Sequence, residues 1–194
     1  MSNLLKKIKN RLRLAGWDGI RPAIVVLGGA QRLQLLGRYD RHGQPLPNPK
    51  RRRWLISTGQ AGFGCQLDSG RTPTGMHRIA EMFGAEAPLG MVFKSRKATG
   101  EIVQSGRVME GDYITSRILW LEGLEPGHNQ GPGVDSLARF IYIHGTPHTD
   151  HLGTPASAGC VRMRDTHVAR LFRRVGPGTL VYIVPPVVMP VGKK

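Results

Sequence analysis

The sequence predicts a single-domain, mainly-β fold, a sandwich or barrel-like sheet with one well-marked helix near its C-terminal end. Its 194 residues suit one compact unit, since domains run to roughly 150 residues. With 26 glycines and 14 prolines, turn chemistry keeps interrupting the apolar runs, which favours many short strands over a helical bundle. Within the body of the chain the apolar spacing switches clearly to a helical period after Asp165. A hydrophobic share of 40% supplies a core and excludes global disorder.

The elements follow in order. Leu4, Leu5, Ile8 and Leu12 recur at helical spacing while Lys6, Lys7, Lys9, Arg11 and Arg13 take other positions, so residues 1–20 form a basic amphipathic segment, expected to dock loosely as a solvated helix. A secretory signal needs about 7–15 successive apolar residues after its basic head, and these interleaved cations forbid it. The chain as given therefore leads to an expected cytoplasmic location, with a periplasmic one as the alternative. No stretch approaches the roughly 18 apolar residues of a spanning helix. Short β-prone runs at Ala23–Leu27, Arg32–Leu36 and Trp54–Ser57 are expected strands, with turns at Gly28-Gly29 and from His42 to Pro49. The basic run Lys50-Arg51-Arg52-Arg53 reads as a solvated loop or strand edge. Further strands are expected at Met76–Phe83, Glu101–Val108, Asp112–Leu121 and Arg139–His144, with a long glycine-bearing loop from Glu122 to Ser136. Asp165 suits a helix N-cap. Val168, Leu171, Phe172 and Val175 then mark one helix face, and Gly176-Pro177-Gly178 stops it. Thr179–Val184 is a last β-branched strand within a body spanning 21–184, and 185–194 is a Pro-rich tail.

Charge and cysteine content narrow the function. A formal net charge of +15 attracts polyanions, so a non-catalytic polyanion-binding module is one reading. Aromatic residues make up only 6%, and no RNP-like or helix-turn-helix pattern is present, which argues against nucleic acid as the partner. Two cysteines, Cys65 and Cys160, are too few for a disulfide scaffold. Cys65 has no histidine near it in sequence and reads as a packed or idle thiol. The glycines around it lack the strand–helix context of a nucleotide loop, and no cofactor is expected.

The chemistry concentrates between Phe140 and Met163. An expected strand delivers His144 at its end, a Gly/Pro-rich loop follows, and Ser157-Ala158-Gly159-Cys160 stands just before Val161-Arg162. If the strand alternates, Phe140, Tyr142 and His144 share one face and Ile141 and Ile143 the other. Thiolate chemistry calls for an imidazole near the thiol, and the intervening loop is long enough to bring His144 to Cys160. A glycine before the nucleophile permits a sharp turn and frees N–H groups for a developing oxyanion. His144, His148, His151 and Cys160 offer an alternative as zinc ligands. Gly145 and Pro147 interrupt that spacing, so His148 and His151 are expected on the solvent side of the loop and no metal is expected.

I-H-G-T followed by S-x-G-C-V-R-M resembles the signature of the L,D-transpeptidase catalytic domain, the YkuD-like family, and Thr72-Pro73-Thr74-Gly75 resembles that family's T-P-x-G turn before a core strand. The resemblance runs from about Ala23 to Val184. It implies the family's β-sandwich or barrel-like catalytic fold and attack by the cysteine on the carbonyl of an L-centre followed by a D-residue in peptidoglycan stem peptides. Carried onto this chain, Cys160 is the nucleophile and His144 the general base. Backbone N–H groups near Gly159 and Cys160 face the oxyanion, Ser157 orients the motif, and Arg162 buttresses the nucleophile or meets the substrate carboxylate. Ala158 stands where many members carry histidine or another polar residue, and Gly145 where some carry serine. Stem peptides or muropeptides are the implied partners, carbapenems the implied inhibitors, and a monomer is expected. One thioester serves hydrolysis (L,D-carboxypeptidase, wall recycling) and transfer to an amine (L,D-transpeptidase, cross-linking), with hydrolysis the first expectation.

Overall fold

The computed structural model describes residues 2–48, 52–104, 106 and 111–184. Ten strands and two α-helices follow one another: α1 (Ser2–Leu14), β1 (Ala23–Leu27), β2 (Arg32–Leu36), β3 (Arg53–Ser57), β4 (Gly75–Phe83), β5 (Met91–Lys94), β6 (Lys97–Ile102), β7 (Ile114–Gly123), β8 (Tyr142–Thr146), β9 (Val161–Arg164), α2 (Asp165–Phe172) and β10 (Leu180–Val184). The strands lie in the order β4-β10-β1-β2-β3-β9-β8-β7-β5-β6, and a further pairing of β4 with β7 closes the first eight into a ring. β5 and β6 extend from β7 as a hairpin. Two neighbours are parallel, β1 with β10 and β8 with β9. The result is mainly β, as the composition and spacing imply, and it closes into the barrel-like sheet that the family resemblance implies.

Alternation along β1 sorts its side chains between two apolar clusters. Ile24 and Val26 enter the main core with Leu33, Leu35, Ile56, Ile79, Leu119 and Leu121. Ala23 and Val25 face outward and are covered by Ile8 and Leu12 of α1 and by Trp17 just after it. With Leu12 wholly buried, the N-terminal helix is a packed outer layer rather than the loosely docked one expected. All four residues expected to mark the helix face, Val168, Leu171, Phe172 and Val175, join the main core, although α2 ends at Phe172 and Val175 lies beyond it.

Several boundaries differ from the sequence reading. Asp165 is the first helical residue of α2 and not its N-cap, a place taken by Arg164 without a side-chain capping bond. The Asp165 carboxylate turns inward and accepts hydrogen bonds from Thr115 and Ser116, each at 2.6 Å. The strand expected at Glu101–Val108 begins at Lys97 and ends at Ile102, while Ser105 and residues 107–110 lie outside the described residues. β5 and β9 stand where no separate strand is expected. The segment Lys50-Arg51 and the tail 185–194 also lie outside the described residues.

Candidate active site

The site grows from the parallel pair β8–β9. In its register Ile143 opposes Val161 and His144 opposes Arg162. Paired residues of parallel strands share a face, so His144 and Arg162 point to one side while Ile143 and Val161 enter the core. Cys160 immediately precedes Val161, which places it one pleat away on the His144 side. The sheet itself thus brings the two expected catalytic residues to one face. Phe140 lies outside the strand: its φ of +54° is a left-handed value uncommon for a bulky residue. Its ring stacks on Trp120 with centroids 5.8 Å apart, and Tyr142 meets Trp120 edge-on.

The turn that carries the nucleophile is pinned at every residue but one. Ser157 Oγ donates to Cys160 O at 2.6 Å and accepts from Gly159 N–H at 3.1 Å. Thr72 Oγ1 donates to Gly159 O at 2.9 Å and accepts from Gly59 N–H at 2.7 Å. Gly159 has φ +123°, and a Cβ there would stand 3.1 Å from Arg71 O, so glycine answers both a backbone and a space requirement. Ser157 thus bridges Gly159 and Cys160 within the turn, and Thr72 joins it from a distant turn. Of the two N–H groups expected to face an oxyanion, that of Gly159 is already engaged by Ser157. Ala158, the remaining residue of the turn, has no side-chain group that could form a hydrogen bond.

His144 is almost wholly buried, and Gly145 O lies 2.7 Å from its Nδ1. A carbonyl only accepts, so Nδ1 carries the proton and Nε2 the lone pair. Gly145 has no room for a side chain, since the Asp165 carboxylate and Thr115 O occupy the space; serine at this position is excluded by packing. Arg162 is buried too and pairs through Nη2 with Asp112 Oδ2 at 2.7 Å, while its Nε is buried without a hydrogen-bond partner. That arrangement suits a buttress and leaves little of the cation for a substrate. Burial lowers the His144 pKa most, with the Asp112 charge and the Gly145 carbonyl working against it.

The partly exposed Cys160 thiol has two hydrogen-bond partners, Tyr142 N–H at 3.4 Å and Phe140 O at 3.5 Å. Burial pushes its pKa up to about 12, opposed by the Tyr142 N–H and by the charges of Arg162 and Arg139 and reinforced by Asp112. Both shifts favour the uncharged thiol and imidazole. Asp112 and Arg139 are site residues that the sequence reading missed. Asp112 sits in an expected strand, far from the motif in sequence, and only the fold sets it against Arg162.

The zinc alternative finds no geometry. His148 is buried rather than on the solvent side, with Nε2 2.9 Å from Gly111 O and its ring stacked on His151. His151 is exposed. Among the described residues, no three His, Cys, Asp or Glu side chains form a metal-holding group. Cys65 is packed as expected, but the fold sets His128 Nε2 3.7 Å from its Sγ, a neighbour the sequence does not reveal.

Comparison with known proteins gives one family match: the model of the L,D-transpeptidase catalytic domain, YkuD, covers residues 21–183. Among solved structures the chain is similar to an L,D-transpeptidase from Mycobacterium smegmatis, at 17% identity and TM-score 0.48, covering 84% of this chain and 58% of that one. An L,D-transpeptidase in complex with imipenem matches at 18% identity and TM-score 0.47, with coverages of 84% and 58%. L,D-transpeptidase 3 from Mycobacterium tuberculosis, in complex with a faropenem-derived adduct, matches at 14% and 0.46, with coverages of 86% and 60%. The chain thus spans less than two thirds of the length of these proteins. No curated protein matches it.

Proposed function

Because the chain belongs to the L,D-transpeptidase catalytic-domain (YkuD) family, we propose that it is a cysteine acyltransferase that opens the L,D peptide bond of peptidoglycan stem peptides through a Cys160 thioester. The observation that supports this reading is the β8–β9 register, in which His144 opposes Arg162 and Ile143 opposes Val161, with Cys160 next to Val161 in sequence and its thiol bonded to Tyr142 N–H of β8. In the proposed sequence of steps, His144 Nε2 takes the Sγ proton as Sγ attacks the carbonyl of the L-centre. The Cys160 N–H faces the developing oxyanion, since Gly159 N–H is spent on Ser157. His144 then returns the proton to the departing D-residue amine, leaving the thioester. Ser157, Thr72 and Arg162 hold the turn and the histidine in place.

Water is the proposed acceptor, giving L,D-carboxypeptidase chemistry. Incubation of the protein with a disaccharide tetrapeptide, followed by mass analysis, tests both levels of the proposal. Release of the terminal D-residue with tripeptide as sole product supports hydrolysis, whereas dimers or D-amino-acid exchange establish transfer instead. The cytoplasmic location is likewise a proposal, checked by fractionating cells that make the full-length protein. Recovery from a periplasmic or wall fraction overturns it.

Relatives in complex with imipenem or carrying a faropenem-derived adduct support an expectation of β-lactam acylation here. Intact mass after incubation with a carbapenem should show a single adduct, and peptide mapping should assign it to Cys160. An adduct on Cys65 contradicts the expectation.

A further inference from the structure

Three guanidiniums stand around the Cys160 thiol and its aromatic flank, and they differ in what occupies them. Arg162 is ion-paired with Asp112 and its side chain is only 6% exposed. Arg96, at the turn between β5 and β6, lies 4.4 Å over the Trp120 ring and 5.4 Å from that of Phe140, with Nη1 donating to Tyr142 OH at 3.1 Å. Arg139 is held differently. Its Nη2 donates to Arg71 O at 2.6 Å and to Ser69 Oγ at 3.4 Å, and Nη1 donates to Gly64 O at 3.3 Å. These neutral oxygens aim the guanidinium without cancelling its charge. Asp68 acts on it through space, and no ion pair joins Arg139 to a carboxylate among the described residues.

Arg139 also stands beside the nucleophile. It immediately precedes Phe140, whose carbonyl accepts from the Cys160 thiol, and it grips Arg71 O, the atom against which Gly159 packs. Its charge favours the Cys160 thiolate. A donor peptide that ends in a D-residue carries its α-carboxylate one residue beyond the scissile carbonyl, about 3.5 Å of chain. The receptor for that carboxylate must therefore stand next to the sulfur.

We propose that Arg139 is the specificity-determining residue that receives the free C-terminal carboxylate of the donor peptide. The assignment rests on the acyl-transfer reading above and adds to it the requirement for an unblocked C-terminus. A charge-assisted hydrogen bond of this kind separates a carboxylate from a neutral amide by about 10- to 100-fold.

Steady-state kinetics with a tetrapeptide stem and with its C-terminal amide tests the assignment. The unaltered protein should prefer the acid by that factor in kcat/KM. Arg139→Gln should reduce the preference to within about threefold, through a rise in KM for the acid that the amide does not share. Arg139→Lys should keep part of the preference, as a point charge without the planar fork. Equal losses on both peptides in Arg139→Gln would mark a purely scaffolding role and overturn the proposal, as would a preference abolished by Arg96→Gln and kept in Arg139→Gln. Absence of turnover with either peptide in the unaltered protein overturns the acyl-transfer reading itself.

Discussion

Cys160 begins its chemistry as a thiol that its surroundings keep protonated, and this sets how the site works at the scale of single residues. A pKa of about 12, beside a histidine whose own pKa is lowered, means that no thiolate–imidazolium pair waits in the free protein. In the proposed reaction the proton moves to His144 as the carbonyl arrives. Alkylation of Cys160 by iodoacetamide should therefore keep accelerating with pH beyond 9, where an ordinary cysteine near 8.5 levels off. A plateau below pH 8 would show a preformed ion pair. Cys160→Ala should abolish turnover of a tetrapeptide stem while Cys65→Ala retains most of it. His144→Ala should lower the rate by roughly 10²–10⁴-fold, and full activity in either Cys160→Ala or His144→Ala would end the catalytic account. The sequence exposes Cys160, His144, Ser157, Gly159 and Arg162 because they cluster within a short motif. It hides Asp112 and Thr72's grip on Gly159, because each reaches the motif only through the fold, and it hides the setting of Arg139, which borders the motif in sequence but is aimed by the distant Gly64, Ser69 and Arg71. Electrostatic partners of a nucleophile need proximity in space and leave no spacing to read.

At the scale of elements, apolar periodicity is enough to place β1 and β2 at their observed limits and α2 nearly so. Leu171 is wholly buried in the main core, and Leu171→Ala should cost about 2–5 kcal/mol in urea unfolding. A loss under about 0.5 kcal/mol would mean that the helix does not pack as described. Two short strands escape the same reasoning for physical reasons. β9 has Val161 and Met163 turned into the core, but two arginines alternate with them and four residues give periodicity little to act on. β5 is joined to β6 by Ser95 and Arg96, both at positive φ. A two-residue hairpin turn of that kind normally announces itself with Asn or Gly; here neither is present. Phe140 misleads in the opposite way. Its alternation with Tyr142 suggests a longer strand, whereas its left-handed backbone ends the pairing and brings its carbonyl to the thiol.

For the molecule as a whole, closure of the sheet buries polar groups whose ionisation links stability to pH. His77 is wholly buried, with Nδ1 3.1 Å from Gly75 O and Nε2 2.9 Å from Ser136 Oγ, and burial holds its pKa down to about 4 from an ordinary 6.5. A depressed histidine takes up its proton more readily in the unfolded chain. Its contribution is therefore complete above pH 6.5 and is lost as pH falls toward 4. Between pH 7 and pH 5 it should cost about 2 kcal/mol, and His144 adds a loss of the same sign. Urea midpoints at those two pH values should fall further in the unaltered protein than in His77→Gln, and equal shifts would assign the acid sensitivity elsewhere. The β1–β10 pairing has a consequence for how the protein is made. Ala23 pairs with Leu180 and Leu27 with Val184, so the ring cannot close until residues 180–184 have left the ribosome. At roughly 5–20 residues per second, the apolar run of β1 waits about 8 to 30 seconds for its parallel partner, with β2 able to cover only one of its edges. A nascent chain arrested before Leu180 holds that other edge open to any neighbouring polypeptide, and β10 is the strand that removes the hazard.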